Sequence, residues 1–446
     1  MEPALTYRDL SFWHDTVPDD LTPRDPMPGN LAPDIAIIGG GLTGLWTAYY
    51  LLKSDPTLDI VVLEKHIAGF GASGRNGGWC SALFPASTAA LERRHGLGAA
   101  LAMRRAMIAT VDEVGRVTAA EGIDCDFATG GTISYARTAV QRAAASAEVA
   151  EAAHYGVDAI ERRADGGSFD PACARLHPAK LVRGLARVLE AKGVRLFEGT
   201  EVLDFAPRSV RTTRGRVRCD TVVVATEGYG ATMRQTHRRV LPLYSLMIAT
   251  EPLPDAVWSE LGVEHGQTFA DFRHLIVYGQ RTADNRFAFG GRGAGYHWGS
   301  RIHPSYDRSP AVFTHLQRAL EQLFPAAGPL TVTHRWGGPL GVPRDWHAGA
   351  SYDPATGIAS AGGYVGDGLS TTNLAGRTLA DLITGRDTDL TALPWVGHRS
   401  PDWEPEPLRF IGANLGTLAM RIADTEERVT KRPSLAARIM GPLVGH

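Results

Sequence analysis

The sequence predicts an α/β protein: a Rossmann-type dinucleotide-binding domain interleaved with a mixed, largely antiparallel α+β domain. Three observations predict it. A short apolar run, Asp34-Ile-Ala-Ile-Ile38, meets a glycine cluster and then a helical pattern. Two similar runs, Asp59–Leu63 and Cys219–Ala225, have the composition of strands buried on both faces. Phe269–Tyr278 and Arg286–Gly291 instead carry the aromatic, alternating pattern of antiparallel sheet.

In chain order, residues 1–32 are rich in Pro and Asp around Phe12 and Trp13 and predict an extended arm held by those two rings. Asp34–Ile38, the helix Leu42–Lys53 and Asp59–Leu63 make one βαβ unit. A glycine-rich loop fills 66–85. Helix follows from Ser87 to Glu121, with a break near Gly96–Gly98, and then a strand-like Phe127–Tyr135. Ala139–Tyr155 and His177–Lys192 are helices, the latter with Pro178 where its missing N–H costs nothing. Val194–Phe205 and Val217–Ala225 read as strands, Thr314–Leu323 as a short helix, Ile358–Gly362 as a strand and Ser370–Leu382 as a helix. The tail turns helical from Arg409 to Glu427. The expected division is a 1–32 arm, a discontinuous dinucleotide domain of 33–100, 170–240 and 335–395, a second domain of 101–169 and 241–334, and a 396–446 tail.

Composition bounds the function. Net charge is −2 and charged residues are 21%, so no overall field favours nucleic acid. No stretch resembles a signal peptide or a transmembrane helix. Cys80, Cys125, Cys173 and Cys219 are scattered with no C-x-x-C pair, which fits a reducing cytoplasm and argues against a metal site.

Gly39-Gly40-Gly41-Leu42-Thr43-Gly44 matches G-x-G-x-x-G with both flanks in place, a strand before and a helix after. Gly39 makes the turn, Gly41 admits a pyrophosphate to the backbone, and Gly44 lets helix and strand approach. The helix N-terminus then meets the anion. Glu64, twenty residues on and followed by Lys65, suits a ribose. The loop alone does not separate NAD from FAD.

The next segment, Gly69-Phe-Gly71-Ala72-Ser73-Gly-Arg75-Asn76-Gly77-Gly78, resembles the flavin loop of FAD-dependent amine oxidoreductases. These form the D-amino-acid oxidase, glycine oxidase and sarcosine oxidase superfamily, and the likeness is greatest to the gamma-glutamylputrescine oxidase branch. The resemblance implies a glutathione-reductase-like FAD domain and lays this loop on the pyrophosphate, ribityl chain and flavin ring. It extends to His177–Val202, where Val202 is expected at the adenine. It extends also to Ala225-Thr226-Glu227-Gly228, a closing turn that departs by an inserted Glu227. Gly363-Tyr364-Val365-Gly366-Asp367-Gly368-Leu369-Ser370-Thr371 resembles the turn facing the flavin N1–C2=O edge. Many relatives have His where this chain has Asp367, a carboxylate that opposes the charge of reduced flavin unless it points away or caps the helix.

The implied chemistry is hydride loss from the carbon beside an amine nitrogen, with aromatic walls to hold the amine. Tyr364, Trp336 and Tyr278 are the expected catalytic-site residues, with Trp298 a further candidate. The substrate-carboxylate Arg of D-amino-acid oxidases is missing, since Leu340 follows Gly337-Gly338-Pro339. That points to a secondary amine or polyamine derivative. Arg273, Arg281 and Arg292 lie on the strands of the second domain and could replace the missing Arg, but each is expected to be a surface or structural arginine. No lysine lies between Lys192 and Lys431, so the lysine that assists oxygen in sarcosine-oxidase relatives has no counterpart there; an Arg, or His274, His334 or His347, could supply the charge instead, though each His equally suits a packed or surface role. His66 and Cys80 flank the loop, but FAD is expected to be non-covalent. Oxygen is the expected acceptor. The alternatives are an acceptor-linked amine or D-amino-acid dehydrogenase and a non-catalytic flavin-binding assembly factor. The stripe Ile411, Leu415, Leu418 and Ile422 is expected to pack back onto the body, with no membrane contact.

Overall fold

The computed structural model describes residues 6–440; the outermost parts of the expected arm and tail, 1–5 and 441–446, lie outside the described residues. Its first sheet has six strands in the order Gly349–Asp353, Ile358–Gly362, Thr221–Val224, Ile35–Ile38, Ile60–Leu63, Arg195–Phe197. All pairings are parallel except the outermost hairpin. The three central strands are buried at every position, as their unbroken β-branched runs require. Helices cover the sheet. Leu42–Ser54 packs on Gly368–Ile383, where Gly376 lies so close that a Cβ would come 2.6 Å from the Trp46 carbonyl carbon. Leu97–Ala120, expected from residue 101 on with the second domain, packs on Gly368–Ile383 and into the dinucleotide core instead.

The second sheet has eight strands, in the order Val332–Val342, Leu241–Thr250, Phe287–Ala294, Val277–Arg281, Thr268–Asp271, Thr132–Tyr135, Ser168–Asp170, Glu161–Arg162. It is antiparallel except where Thr268–Asp271 runs beside Thr132–Tyr135. Residues 335–342, expected in the dinucleotide domain, pair here along Leu241–Ile248. The helix Pro310–Leu323, longer than expected and opened by its proline, closes one face over Phe269, Phe287 and Phe289.

Several expected elements are split. Gly130-Gly131 divides Phe127–Tyr135 into Ala128–Thr129 and Thr132–Tyr135, which lie in different sheets. A turn over 272–276 separates Thr268–Asp271 from Val277–Arg281. Val194–Phe205 becomes Arg195–Phe197 in the large parallel sheet and Val202–Ala206 in a small antiparallel one. The arm is not extended throughout: Tyr7–Leu10 and Phe12–Thr16 are short helical turns, and Phe12 and Trp13 are buried as expected. The tail helix spans Leu408–Thr430. It docks through Asn414, Asp424 and Glu427, which bond to Tyr296, His274 and Leu275. Its apolar stripe points outward, with Ile411, Leu415, Leu418 and Ile422 each about half exposed. The expectation that the stripe packs inward is therefore corrected: the polar face carries the contacts. No described helix is long and apolar enough to cross a membrane.

Candidate flavin site

Everything converges on the N-terminus of the helix Leu42–Ser54. Gly39 sits at φ 109°, and a Cβ there would meet the Ala225 carbonyl oxygen at 2.5 Å; at Gly44 it would meet the Gly39 oxygen at 2.3 Å. The glycines are thus demanded by backbone crossing backbone. Glu64 follows its strand half-buried beside Gly40, accepting N–H bonds from Gly40 (2.9 Å) and His66 (2.8 Å). Burial pushes its carboxyl up to about 6 against those bonds. Lys65 pairs with Glu201 at 2.7 Å, bringing Val202 beside the end of the Glu64 strand.

Two loops reach this helix terminus from opposite ends of the chain. Ser73 Oγ accepts the Leu42 N–H at 2.8 Å, tying the Gly71–Gly78 loop to it. The Tyr364 hydroxyl bonds Thr43 Oγ1 at 3.0 Å, tying the Gly363–Thr371 turn to it. Ser370 Oγ also donates to the Ser81 carbonyl. The 71–78 loop is braced internally: Asn76 donates to the Ala72 and Ser73 carbonyls and accepts the Gly78 N–H. Gln280 holds the Gly77 carbonyl at 2.7 Å.

Arg75 is the join between the two sheets. Its guanidinium donates to Asp307 (2.8 Å), the Gly337 carbonyl (2.9 Å) and the Tyr229 hydroxyl (2.7 Å), and lies over the Phe70 ring. Of the expected aromatic walls, the structure brings Tyr278 and Trp336 against the 71–78 loop, Tyr278 at Gly77 and Trp336 at the Arg75 carbonyl. A Cβ on Gly77 would touch the Tyr278 ring at 2.4 Å; the Tyr278 hydroxyl bonds Ser245 at 3.1 Å and Trp79 packs on the ring edge. Trp336 is enclosed where the arm meets the loop. It is 2% exposed, packs with Phe12 and Trp13, and donates its indole N–H to the Arg75 carbonyl. Tyr364 is likewise buried beneath the turn. Trp298 stands on the surface against Phe410.

The three arginines separate. Arg273 is spent on Asp271, and Arg281 on Asp255 and Asn285, as expected of structural residues. Arg292, the third, reaches the flavin turn: it donates to the Val365 carbonyl at 2.7 Å and lies over Trp346. Spacing gave no sign of this, because the contact spans 73 residues. The histidines are engaged elsewhere, His274 with Glu427, His334 with Asp15, and His347 buried against His398. Cys80 is fully buried, which raises its thiol pKa. His66 stacks on Phe70, and burial pushes it down to about 4.

Glu227 is the unanticipated ligand of the turn. At φ 42° it sends its carboxylate across to the N–H groups of Gly363 (3.0 Å) and Tyr364 (3.4 Å). Burial pushes it up from 4.5 to about 7, opposed by those bonds. An acid raised on folding stabilises the fold at low pH and loses that contribution as pH rises through its folded value. Without flavin, the wild-type melting temperature should therefore fall from pH 5.5 to 8 more than that of Glu227→Gln. The difference is on the order of 1–2 kcal/mol, and melts followed by circular dichroism read it.

The residues fit FAD. A glycine cradle with no room for Cβ atoms opens a helix N-terminus, and a half-buried carboxylate follows the adjoining strand. The comparisons agree. The family profile "DAO: FAD dependent oxidoreductase" matches residues 34–382. A probable oxidoreductase OrdL from Rhizobium meliloti is 29% identical over 409 residues, covering 86% of this chain and 90% of its own. Gamma-glutamylputrescine oxidoreductase of Escherichia coli is 29% identical over 383 residues, covering 81% and 86%. Among solved structures, glycine oxidase from Geobacillus kaustophilus superposes with a TM-score of 0.66 at 20% identity, covering 82% of this chain and 99% of that one. The match over 34–382 takes in both sheets and every loop just described, and the chain belongs to the DAO family of FAD-dependent oxidoreductases.

Proposed function

We propose that this enzyme oxidises the C–N bond of an amine, a secondary amine or polyamine derivative, with FAD held non-covalently and oxygen as acceptor, giving hydrogen peroxide in the cytoplasm. The observation that carries the reading is the juxtaposition of the 71–78 loop, the 363–371 turn and the Tyr278 ring around one helix N-terminus. Gly39, Gly41, Leu42, Thr43 and Gly44 would receive the pyrophosphate, and Glu64 a ribose. Lys65 and Val202 would border the adenosine. Gly71, Ala72, Ser73, Arg75, Asn76, Gly77 and Gly78 would line the ribityl chain and ring. Ala225, Thr226 and Gly228 would close over the nucleotide, and Gly363, Gly366, Asp367, Gly368, Leu369, Ser370 and Thr371 would meet the ring edge. Bound FAD supplies the hydride acceptor. The chain supplies the rest: Tyr278 and Ser245 present a hydroxyl pair beside the loop, the rings of Trp79 and Tyr278 pack edge to face as an apolar wall, and the turn holds backbone N–H groups at a helix start. Buried Cys80 and stacked His66 support non-covalent binding.

A similar relative is named for gamma-glutamylputrescine, which supports the amine class. One observation favours a second reading, an acceptor-linked dehydrogenase: the outward apolar stripe of the tail helix. The experiment is an anaerobic titration of the yellow holoprotein with amines, followed by admission of air. We expect a secondary amine or polyamine derivative to bleach the flavin, with one peroxide per amine on reoxidation. Bleaching without oxygen uptake supports the dehydrogenase. A flavin that no amine bleaches overturns both in favour of a non-catalytic binding protein.

A further inference from the structure

The flavin turn carries one carboxylate that nothing in the fold uses. Glu64 accepts two backbone N–H groups, Glu227 accepts two more, and Asp307 is paired with Arg75. Asp367 is different. Its backbone is fixed, the N–H donating to the Tyr364 carbonyl at 2.9 Å and the carbonyl accepting from Thr371 Oγ1. It stands at the N-cap of Gly368–Ile383, yet its side chain caps no N–H of that helix. Among the described residues its carboxylate makes no hydrogen bond and no ion pair. It is only partly covered, so it borders open space rather than the core.

Three segments frame that space. Asp367 comes from the turn, Tyr278 from Val277–Arg281 with its hydroxyl on Ser245, and Arg292 from Phe287–Ala294. Tyr278 and Arg292 are the titratable and charged groups that face Asp367 from the packed strands. Tyr364 and Glu227 of the neighbouring turns are occupied by Thr43 and by backbone N–H groups. The Arg292 guanidinium already holds the Val365 carbonyl and the Trp346 face, so its charge acts on Asp367 without a direct bond.

We propose, resting on the amine-oxidation reading above, that Asp367 is the catalytic group that binds the substrate as an ammonium ion and takes its proton. An alkylamine has a pKa of about 10, as in a lysine side chain, so it arrives protonated at neutral pH. Hydride loss from the α-carbon needs the nitrogen lone pair to form the C=N bond, and the ammonium has none to give. The step balances as one proton passing from R2NH2⁺ to the carboxylate, leaving neutral R2NH and Asp367 as the acid. The hydride would go to the FAD of the proposed function, leaving the iminium cation; water adds to its carbon, the C–N bond breaks to give a carbonyl product and the released amine, and the Asp367 proton returns to solvent. Burial raises Asp367 to about 6, with Arg292 holding it down. That places it as a carboxylate on arrival of the cation and as a competent acceptor near neutrality.

The test compares wild-type holoprotein with Asp367→Asn and Asp367→Glu, checking each for flavin content and fold. Tetramethylammonium, a cation with no proton to lose, is titrated calorimetrically from pH 5 to 8. Wild type should bind it more tightly as pH rises through about 6. Asp367→Asn should bind it about tenfold more weakly, with no pH dependence, and Asp367→Glu should restore the pH dependence. Anaerobic flavin reduction by an amine gives the second readout. In Asp367→Asn the rising limb of its pH profile should move to the amine's own pKa, with the rate recovering there. If Asp367→Asn binds the cation as wild type does, or keeps the wild-type limb, the proposal is overturned. The binding arm needs no turnover, so a wild type that no amine reduces sinks the amine reading while the calorimetry still judges Asp367.

Discussion

Replacing Arg75 with Met should cost about 3–5 kcal/mol, enough to strip the protein of flavin and lower its melting temperature sharply. The guanidinium is buried, and its loss leaves the Asp307 carboxylate, whose Oδ1 already has no partner, as an uncompensated charge between the sheets. The same change frees the Gly337 carbonyl and the Tyr229 hydroxyl, both held by this one side chain. A lysine does not substitute. It is a point charge and cannot reach three acceptors in one plane. Denaturant unfolding of Arg75→Met, Asp307→Asn and the double variant measures the pair. The double should be less damaged than the sum of the singles, because removing both charges leaves none stranded. Strict additivity would show that the contact is incidental.

The second large effect falls on Gly44. Gly44→Val should yield a colourless protein, because even the first added carbon would lie 2.3 Å from the Gly39 oxygen and 2.9 Å from Ile37 Cγ2. Neither neighbour is a free side-chain end: one is backbone and the other sits in a fully buried strand. The helix Leu42–Ser54 must lift from the sheet, which costs about 1–3 kcal/mol in overpacking and moves the N–H groups that would grip a pyrophosphate. Flavin retained through purification, read at visible wavelengths, checks this. Gly412→Val, on an open face of the tail helix where a Cβ meets nothing within 4 Å, is the control and should keep its colour.

The parts of this site that could be read in the sequence are those where backbone chemistry leaves one residue type. Gly39, Gly44 and Gly77 were readable because any Cβ collides, and Glu64 because a strand end twenty residues on has a geometric meaning. Parallel strands were readable from their unbroken apolar runs. The side-chain partnerships were not. Arg75 and Asp307 lie 232 positions apart, Arg292 and Val365 lie 73 apart, and no local pattern links either pair. The surroundings of Trp336 were illegible for the same reason: only the docked arm decides that the indole faces Trp13. The tail stripe misled in the opposite direction, since helical periodicity reveals that a face is apolar and says nothing of whether the body lies on that side. Glu227 looked like a defect in a turn motif until its carboxylate was seen to hold the turn 136 residues away.

The six-stranded sheet has a consequence for biosynthesis. Its middle strand, Ile35–Ile38, leaves the ribosome early, but its neighbour's outer partner, Ile358–Gly362, is made more than three hundred residues later. At a synthesis rate of about 5–20 residues per second, the nascent chain carries an unsatisfied β-branched edge for tens of seconds. Pairings so distant in sequence also close slowly. The emerging polypeptide is thus exposed to mispairing for most of its translation, and co-expression of a holdase chaperone should raise the yield of folded protein.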